Sequence, residues 1–227
     1  MILSTQLFVA IFFSFLSYKI LKRRTDRLTL IASSFFLSVA IGFVINIIYY
    51  PLKLDPIVYI LHTTTLFLIL FGPAFLILFT IEIHKEVHLN PKRNSRLKDM
   101  CIILSYAVVI FIIIFFSNGI TINEETNWRP IWSWNFLILL YFYLTICILL
   151  PFTYFSIKMY LRLEDKILRR RWFLYFIGFF GMGLSIYGLI LYNTWNNLTF
   201  RIIWSIIGLL ISTASGFLIY YGIIRNL

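Results

Sequence analysis

Seven apolar stretches, each long enough to cross a bilayer as a helix, leave this chain few alternatives. A spanning helix needs roughly 20 apolar residues at ~1.5 Å each. Stretches of that kind fall near 2–20, 28–50, 57–81, 100–117, 134–157, 172–193 and 201–223. Open sheets and irregular backbone are excluded from hydrocarbon, because every peptide group there must find its partner inside the segment. The expectation is an all-α polytopic membrane protein, a seven-transmembrane helix bundle forming a single domain over 1–227. Composition agrees: 61% of the residues are hydrophobic and 13% charged, about half the charge of a soluble domain. Too little chain lies between the spans for aqueous enzymatic machinery of ordinary size.

The loops alternate in charge, and that alternation sets an expected orientation. The first, third and fifth carry Lys19, Lys22, Arg23, Arg24 and Arg27, then Lys85, Lys92, Arg93, Arg96 and Lys98, then Lys158, Arg162, Lys166, Arg169, Arg170 and Arg171. Adding Arg225 places 17 of the 20 basic residues on one side, against Lys53, Arg129 and Arg201 on the other. The positive-inside rule makes the first side cytoplasmic, with the N-terminus outside and the C-terminus in the cytoplasm. The net charge of +11 is therefore read as a topology signal and a contact for anionic lipid, not as a nucleic-acid surface. Met1 to Gln6 lacks a basic n-region, so the first apolar run is expected to stay as helix 1 and not to be cleaved. Five tryptophans (Trp128, Trp132, Trp134, Trp195 and Trp204) fall at the outer boundary and Trp172 at the inner one, where an aromatic belt is expected. Cys101 and Cys147 lie at depths about 16 Å apart, too far for a disulfide.

Local chemistry refines the rods. Asp55-Pro56 can start helix 3 and Asp99 can cap helix 4. Pro73 and Pro151 should bend helices 3 and 5. On helix 7, Ser205, Gly208, Ser212, Ser215 and Gly216 recur at helical spacing, and Gly181 and Ser185 offer a shorter face on helix 6. Small residues let membrane helices approach closely, so a 6–7 or 1–7 contact is expected, with homodimerisation as the alternative. The Asn197-Leu198-Thr199 sequon reads as the turn and cap of helix 7.

Polar groups inside the spans are few, and each is a functional candidate. Asn46 on helix 2 and His62 on helix 3 lie at one shallow depth, about 6 to 9 Å below the outer ends, with Gln6 and Asn193 near the same level. They suggest an outward pocket roofed by Trp128 and Trp132; the alternative is that Asn46 and His62 satisfy one another. Three histidines with no carboxylate beside His62 do not make an intramembrane zinc site. His84 and His88 flank Glu86 without forming HExxH and read as a solvated turn. Thr213-Ala214-Ser215-Gly216 lacks a histidine at matching depth for a serine nucleophile. No P-loop or GxGxxG occurs, and helix 7 has no lysine for a retinal Schiff base. Acidic groups are confined to loops and span ends, with Glu82 nearest the hydrocarbon, which disfavours coupled ion transport. No enzyme activity and no cofactor are expected.

Three segments carry a family resemblance: LFLILFGPAFLILFTIEIHKE at 66–86, KILRRRWFLYFIGFFG at 166–181 and GFLIYYGIIRNL at 216–227. With their spacing and the expected topology, the chain from helix 3 onward resembles the N-terminal seven-helix sensor region of prokaryotic membrane histidine kinases. The resemblance implies a sensor in a prokaryotic plasma membrane that passes a signal inward. In that family helix 7 leads into a cytoplasmic output module, whereas this sequence reaches only Leu227 and has no phosphoacceptor helix or ATP-binding glycines. The resemblance then implies an isolated sensory domain, a fragment, or a protein that signals through a partner; the leading expectation is a receptor-like sensory domain whose cytoplasmic partner, like anionic lipid, is contacted by Lys166, Arg169, Arg170 and Arg171. The alternative is a small-solute transporter or a structural subunit of a membrane assembly.

Overall fold

The computed structural model describes residues 2–88 and 96–222. Lys92, Arg93 and Arg225, and the side chains of Asp55, Glu86, His88 and Arg96, lie outside the described residues. Seven helices are long and apolar enough to cross a membrane. They are α1 (Ile2–Leu21), α2 (Arg27–Tyr49), α3 (Asp55–His88), α4 (Arg96–Phe116), α5 (Trp134–Arg162), α6 (Lys166–Thr194) and α7 (Leu198–Gly222). The ends carrying the first, third and fifth loops form the basic end of the bundle. At the opposite end a two-stranded antiparallel hairpin, β1 (Ile120–Thr121) with β2 (Ile131–Trp132), joins α4 to α5.

Several helices outrun their apolar stretches, for reasons visible at their ends. α6 starts at Lys166 and not near 172, because Asp165 accepts the Ile167 amide at 2.8 Å and Lys and Arg are good helix formers. Lys166, Arg169, Arg170 and Arg171 are thus the first turns of a helix, not a loop. α3 continues to His88 and not to 81, so His84 packs against Phe155 on a helix and is no part of a solvated turn. Asp26 caps α2, accepting the Thr29 amide at 2.9 Å and the Thr29 hydroxyl at 2.7 Å. Its partial burial pushes the carboxyl pKa up, but the Thr29 hydrogen bonds and nearby Arg24 outweigh that and hold it below the usual range. Asn197 caps α7 by accepting the Phe200 amide at 2.9 Å, as the sequence suggests. Asp99 does not precede α4 but lies in its first turn.

Pro73 is accommodated inside an uninterrupted α3. At Pro151 the accommodation is visible: Leu144–Leu149 is a π-helical stretch, with the Leu150 amide bonding the Thr145 carbonyl. Proline has no amide to give the carbonyl four residues back, that of Cys147. The Tyr106 hydroxyl of α4 donates to it instead, at 2.7 Å.

Packing follows chain order: α1 lies along α2, α2 along α3, α3 along α4 and α6 along α7, while α1 closes on α7 and α3 touches the C-terminal half of α5. α3 is the most enclosed helix, and α4 and α7 are the most open. The core is aromatic, with Phe13, Phe35 and Phe36 joining α1 to α2 and Phe152 stacked on Phe179 between α5 and α6. The outside is apolar too: Phe8, Ile11, Leu104, Phe111, Ile138, Phe142, Ile203 and Leu210 are exposed. A surface of that kind belongs in lipid, not water. The tryptophans divide: Trp134 and Trp195 are exposed as belt residues, whereas Trp132 and Trp172 are buried in the core. Trp172 donates to the Ser156 carbonyl at 3.0 Å, so it ties α6 to α5 and does not mark the membrane edge.

Candidate functional site

The small-residue faces bring α6 and α7 together over most of their length. A Cβ built on Gly178 would lie 2.9 Å from the Ile219 amide nitrogen and the Ser215 carbonyl oxygen, so only glycine lets α7 in. The same logic holds where Gly181 faces Ser215 and Gly188 faces the Trp204 ring. Gly216 turns toward Phe12 and Phe13 of α1, at 3.2 Å from a built Cβ. The sequence stripe therefore serves both expected contacts, 6–7 and 1–7.

Toward the hairpin end from Gly216, a cavity opens between α1, α2, α6 and α7, with Ile69 of α3 also in its wall. Val9, Phe13, Phe43, Ile186 and Leu209 make its walls apolar, and Gln6, Ser185, Tyr192, Trp204, Ser205 and Ser212 add polar atoms. Ser205 and Ser212 donate to carbonyls of their own helix. The Gln6 Oε1 and Ser185 Oγ atoms are buried with no partner among the described residues. A buried polar atom left unpaired costs about 1–3 kcal/mol, so both favour an occupant that brings a polar group.

His62 is not part of this space. It is 5% exposed, and both ring nitrogens are engaged. Trp132 Nε1 donates to Nε2 at 3.2 Å, and Nδ1 pairs with the Tyr49 hydroxyl at 2.7 Å. Because the indole can only donate, Nε2 is the bare nitrogen, and the neutral ring carries its proton on Nδ1, directed at Tyr49. The partner on α2 is therefore Tyr49, one turn beyond Asn46, which is itself half-buried. The hairpin reaches His62 through a tight connection in which Asn118, Asn127 and Trp128 have positive φ. The Trp128 amide donates to the Asn123 carbonyl at 3.0 Å. Of the expected roof, Trp132 closes over His62 and Trp128 packs on the core beside it. Asn193 donates to the Leu189 carbonyl of its own helix at 3.1 Å.

The basic end holds a second polar assembly. Glu82 on α3 and Asp99 on α4 have side chains only 7% and 6% exposed, and both meet Arg27 of α2 and Lys85 of α3. Lys85 Nζ lies 2.7 Å from Glu82 and 2.8 Å from Asp99, Arg27 lies 3.3 Å from Glu82, and Arg27 also pairs directly with Asp99. Two cations balance two carboxylates, and three helices are tied at one point. Beside it, Tyr175 of α6 bonds Thr80 and the Leu76 carbonyl of α3, each at 3.1 Å. Lys166, Arg169 and Arg170 are exposed and Arg171 is half-buried; Arg169 lies 4.5 Å over the Tyr160 ring. This face is a cationic surface formed by one helix.

Sequence reading placed His62 and Trp132 in one layer and missed Tyr49, the ion cluster and the cavity walls on α6 and α7. Glu82 and Asp99, acids beside apolar runs facing Arg27, were the available signal for the cluster. Among the described residues no three His, Cys, Asp or Glu side chains converge as a metal site would require. No protein-family model matches the sequence, and no curated protein or solved structure matches it either.

Proposed function

We propose that the chain is a membrane-embedded sensory domain, N-terminus outside and C-terminus cytoplasmic, whose cavity at the hairpin end takes a ligand and whose basic end passes the response to a cytoplasmic partner. The observation that carries the reading is the cavity's position: it is bounded by both α6 and α7, whose glycine-mediated contact continues to Gly222 against Tyr175 at the basic end. An occupant that fits one α6–α7 packing better than another shifts the equilibrium between them by its difference in affinity. The charge asymmetry supports the orientation, and the resemblance to kinase sensor regions supports the direction of signalling and a prokaryotic plasma membrane. Lys166, Arg169 and Arg170 supply the partner surface, with anionic lipid as their resting contact.

Purification from native membranes in lipid discs, followed by mass spectrometry, tests the reading. A bound small molecule should be lost in Gly208→Phe, which fills the cavity, and a co-purifying soluble protein should be lost in the double variant Lys166→Glu/Arg170→Glu. Solute flux through proteoliposomes with no co-purifying protein would overturn it in favour of transport.

A further inference from the structure

The chemistry of the cavity goes further and names a class of ligand; the argument rests on the sensory reading of the same cavity. Arg201 lies one turn beyond the cavity's lining on α7 and touches Tyr192. Its Nε donates to the Tyr192 carbonyl at 3.0 Å and its guanidinium lies 5.5 Å from the Tyr192 ring, which lines the cavity. Trp204 and Ser205, three and four residues further along α7, also line it, so Arg201 occupies the same helix face one turn above. Among the described residues Arg201 forms no ion pair, and its two Nη groups can donate to an anion. On α1 the lining runs from Thr5 through Gln6 and Val9 to Phe13, a depth of about 12 Å at the helical rise. That is less than half the ~30 Å hydrocarbon thickness, which suits a chain of medium length. Gln6 and Ser185 are among the cavity's lining residues, and Gln6 Oε1, which can only accept, and Ser185 Oγ are buried without a partner among the described residues.

We propose that the cavity binds a single-chain amphiphile of medium length with an anionic head at Arg201 and a hydroxyl on its chain that donates to Gln6. A hydroxylated fatty acid has this chemistry. The head gains a charge-assisted contact, the chain covers the apolar walls, and the hydroxyl meets the polar atom that the bundle leaves unpaired.

The test uses the full chain in discs of zwitterionic lipid, with bromodecanoic acid quenching tryptophan emission. The Trp204 component is isolated by subtracting the Trp204→Phe variant. β-Hydroxydecanoate, decanoate and decanol then compete. Saturable quenching is expected, with the hydroxy acid displacing the probe about tenfold better than decanol, one charge-assisted hydrogen bond's worth. Arg201→Gln should abolish the preference for acid over alcohol, and Gln6→Leu the preference for the hydroxylated chain. If decanol competes as well as either acid, the assignment of an anionic head is overturned while the cavity stands as a ligand site. If quenching never saturates, only partition into lipid is present, and the sensory reading of the cavity falls with the ligand class. Should Arg201→Gln fail to fold, the acid-to-alcohol ratio of the unaltered protein decides alone.

Discussion

The ion cluster at the basic end makes the sharpest energetic prediction. Glu82 and Asp99 are nearly closed off, at 7% and 6% exposure, while Arg27 and Lys85 retain 43% and 27%. Arg27→Met leaves two buried carboxylates facing one ammonium. Breaking a fully buried pair costs about 3–5 kcal/mol, but half-exposed Arg27 is already screened, so about 2–3 kcal/mol is expected. Asp99→Leu leaves two cations facing Glu82 alone; both can turn toward solvent, which limits the loss to about 2 kcal/mol. The double variant restores balance, with Glu82 and Lys85 still paired at 2.7 Å. It should cost less than the sum of the singles by about 1–2 kcal/mol, the coupling expected of groups in one network. Reversible unfolding in bicelles or mixed micelles, read over the four-protein cycle, measures this directly. Additivity within about 0.3–0.5 kcal/mol would show that the four charges do not act as a unit.

Other outcomes follow from single contacts. Gly178→Leu forces α6 from the α7 backbone that approaches within 2.9 Å of a built Cβ, and should destabilise the bundle by about 1–3 kcal/mol in the same unfolding assay. Asp26→Ala removes the α2 cap and should cost about 1 kcal/mol at neutral pH. Because the folded carboxyl pKa lies below its ordinary 3.8, that stabilisation is present above the unfolded value and disappears as pH falls through the folded one; a parallel titration of both proteins below pH 5 should therefore see the difference vanish. In intact cells, a membrane-impermeant maleimide should label Glu124→Cys on the hairpin loop and spare Arg169→Cys on the basic end, both in a Cys101→Ser/Cys147→Ala background; the opposite pattern reverses the orientation.

How much of this was legible in the chain depends on whether the determinant is local. Span number and approximate position follow from apolar length, and the α7 start from Asn197. The α6–α7 and α1–α7 contacts follow from glycines and serines at helical spacing. Helix ends were misjudged where charged residues stay helical, as at Lys166–Arg171 and Glu82–His88, because a hydropathy boundary marks the membrane and not the end of the hydrogen-bonded rod. Depth alone brought His62 near the right layer of α2, but rotation about the helix axis chose Tyr49 over Asn46. The π-helical stretch is a response to Pro151 that sequence announces only as a bend. The cavity was the least legible feature. It is bounded by α1, α2, α6 and α7, a relation between helices from opposite ends of the chain.

A sensory role requires that the cavity and the basic end share one equilibrium. Spin labels at Arg169→Cys on α6 and Phe217→Cys on α7, in the Cys101→Ser/Cys147→Ala background, allow the distance between them to be measured by electron–electron double resonance. Saturating β-hydroxydecanoate should move that distance by about 1–2 Å, the scale of helix shifts in switching proteins, and Gly208→Phe should abolish the response. A distance distribution unchanged by a ligand shown to occupy the cavity would contradict the coupling of α6 and α7 on which the sensory reading depends.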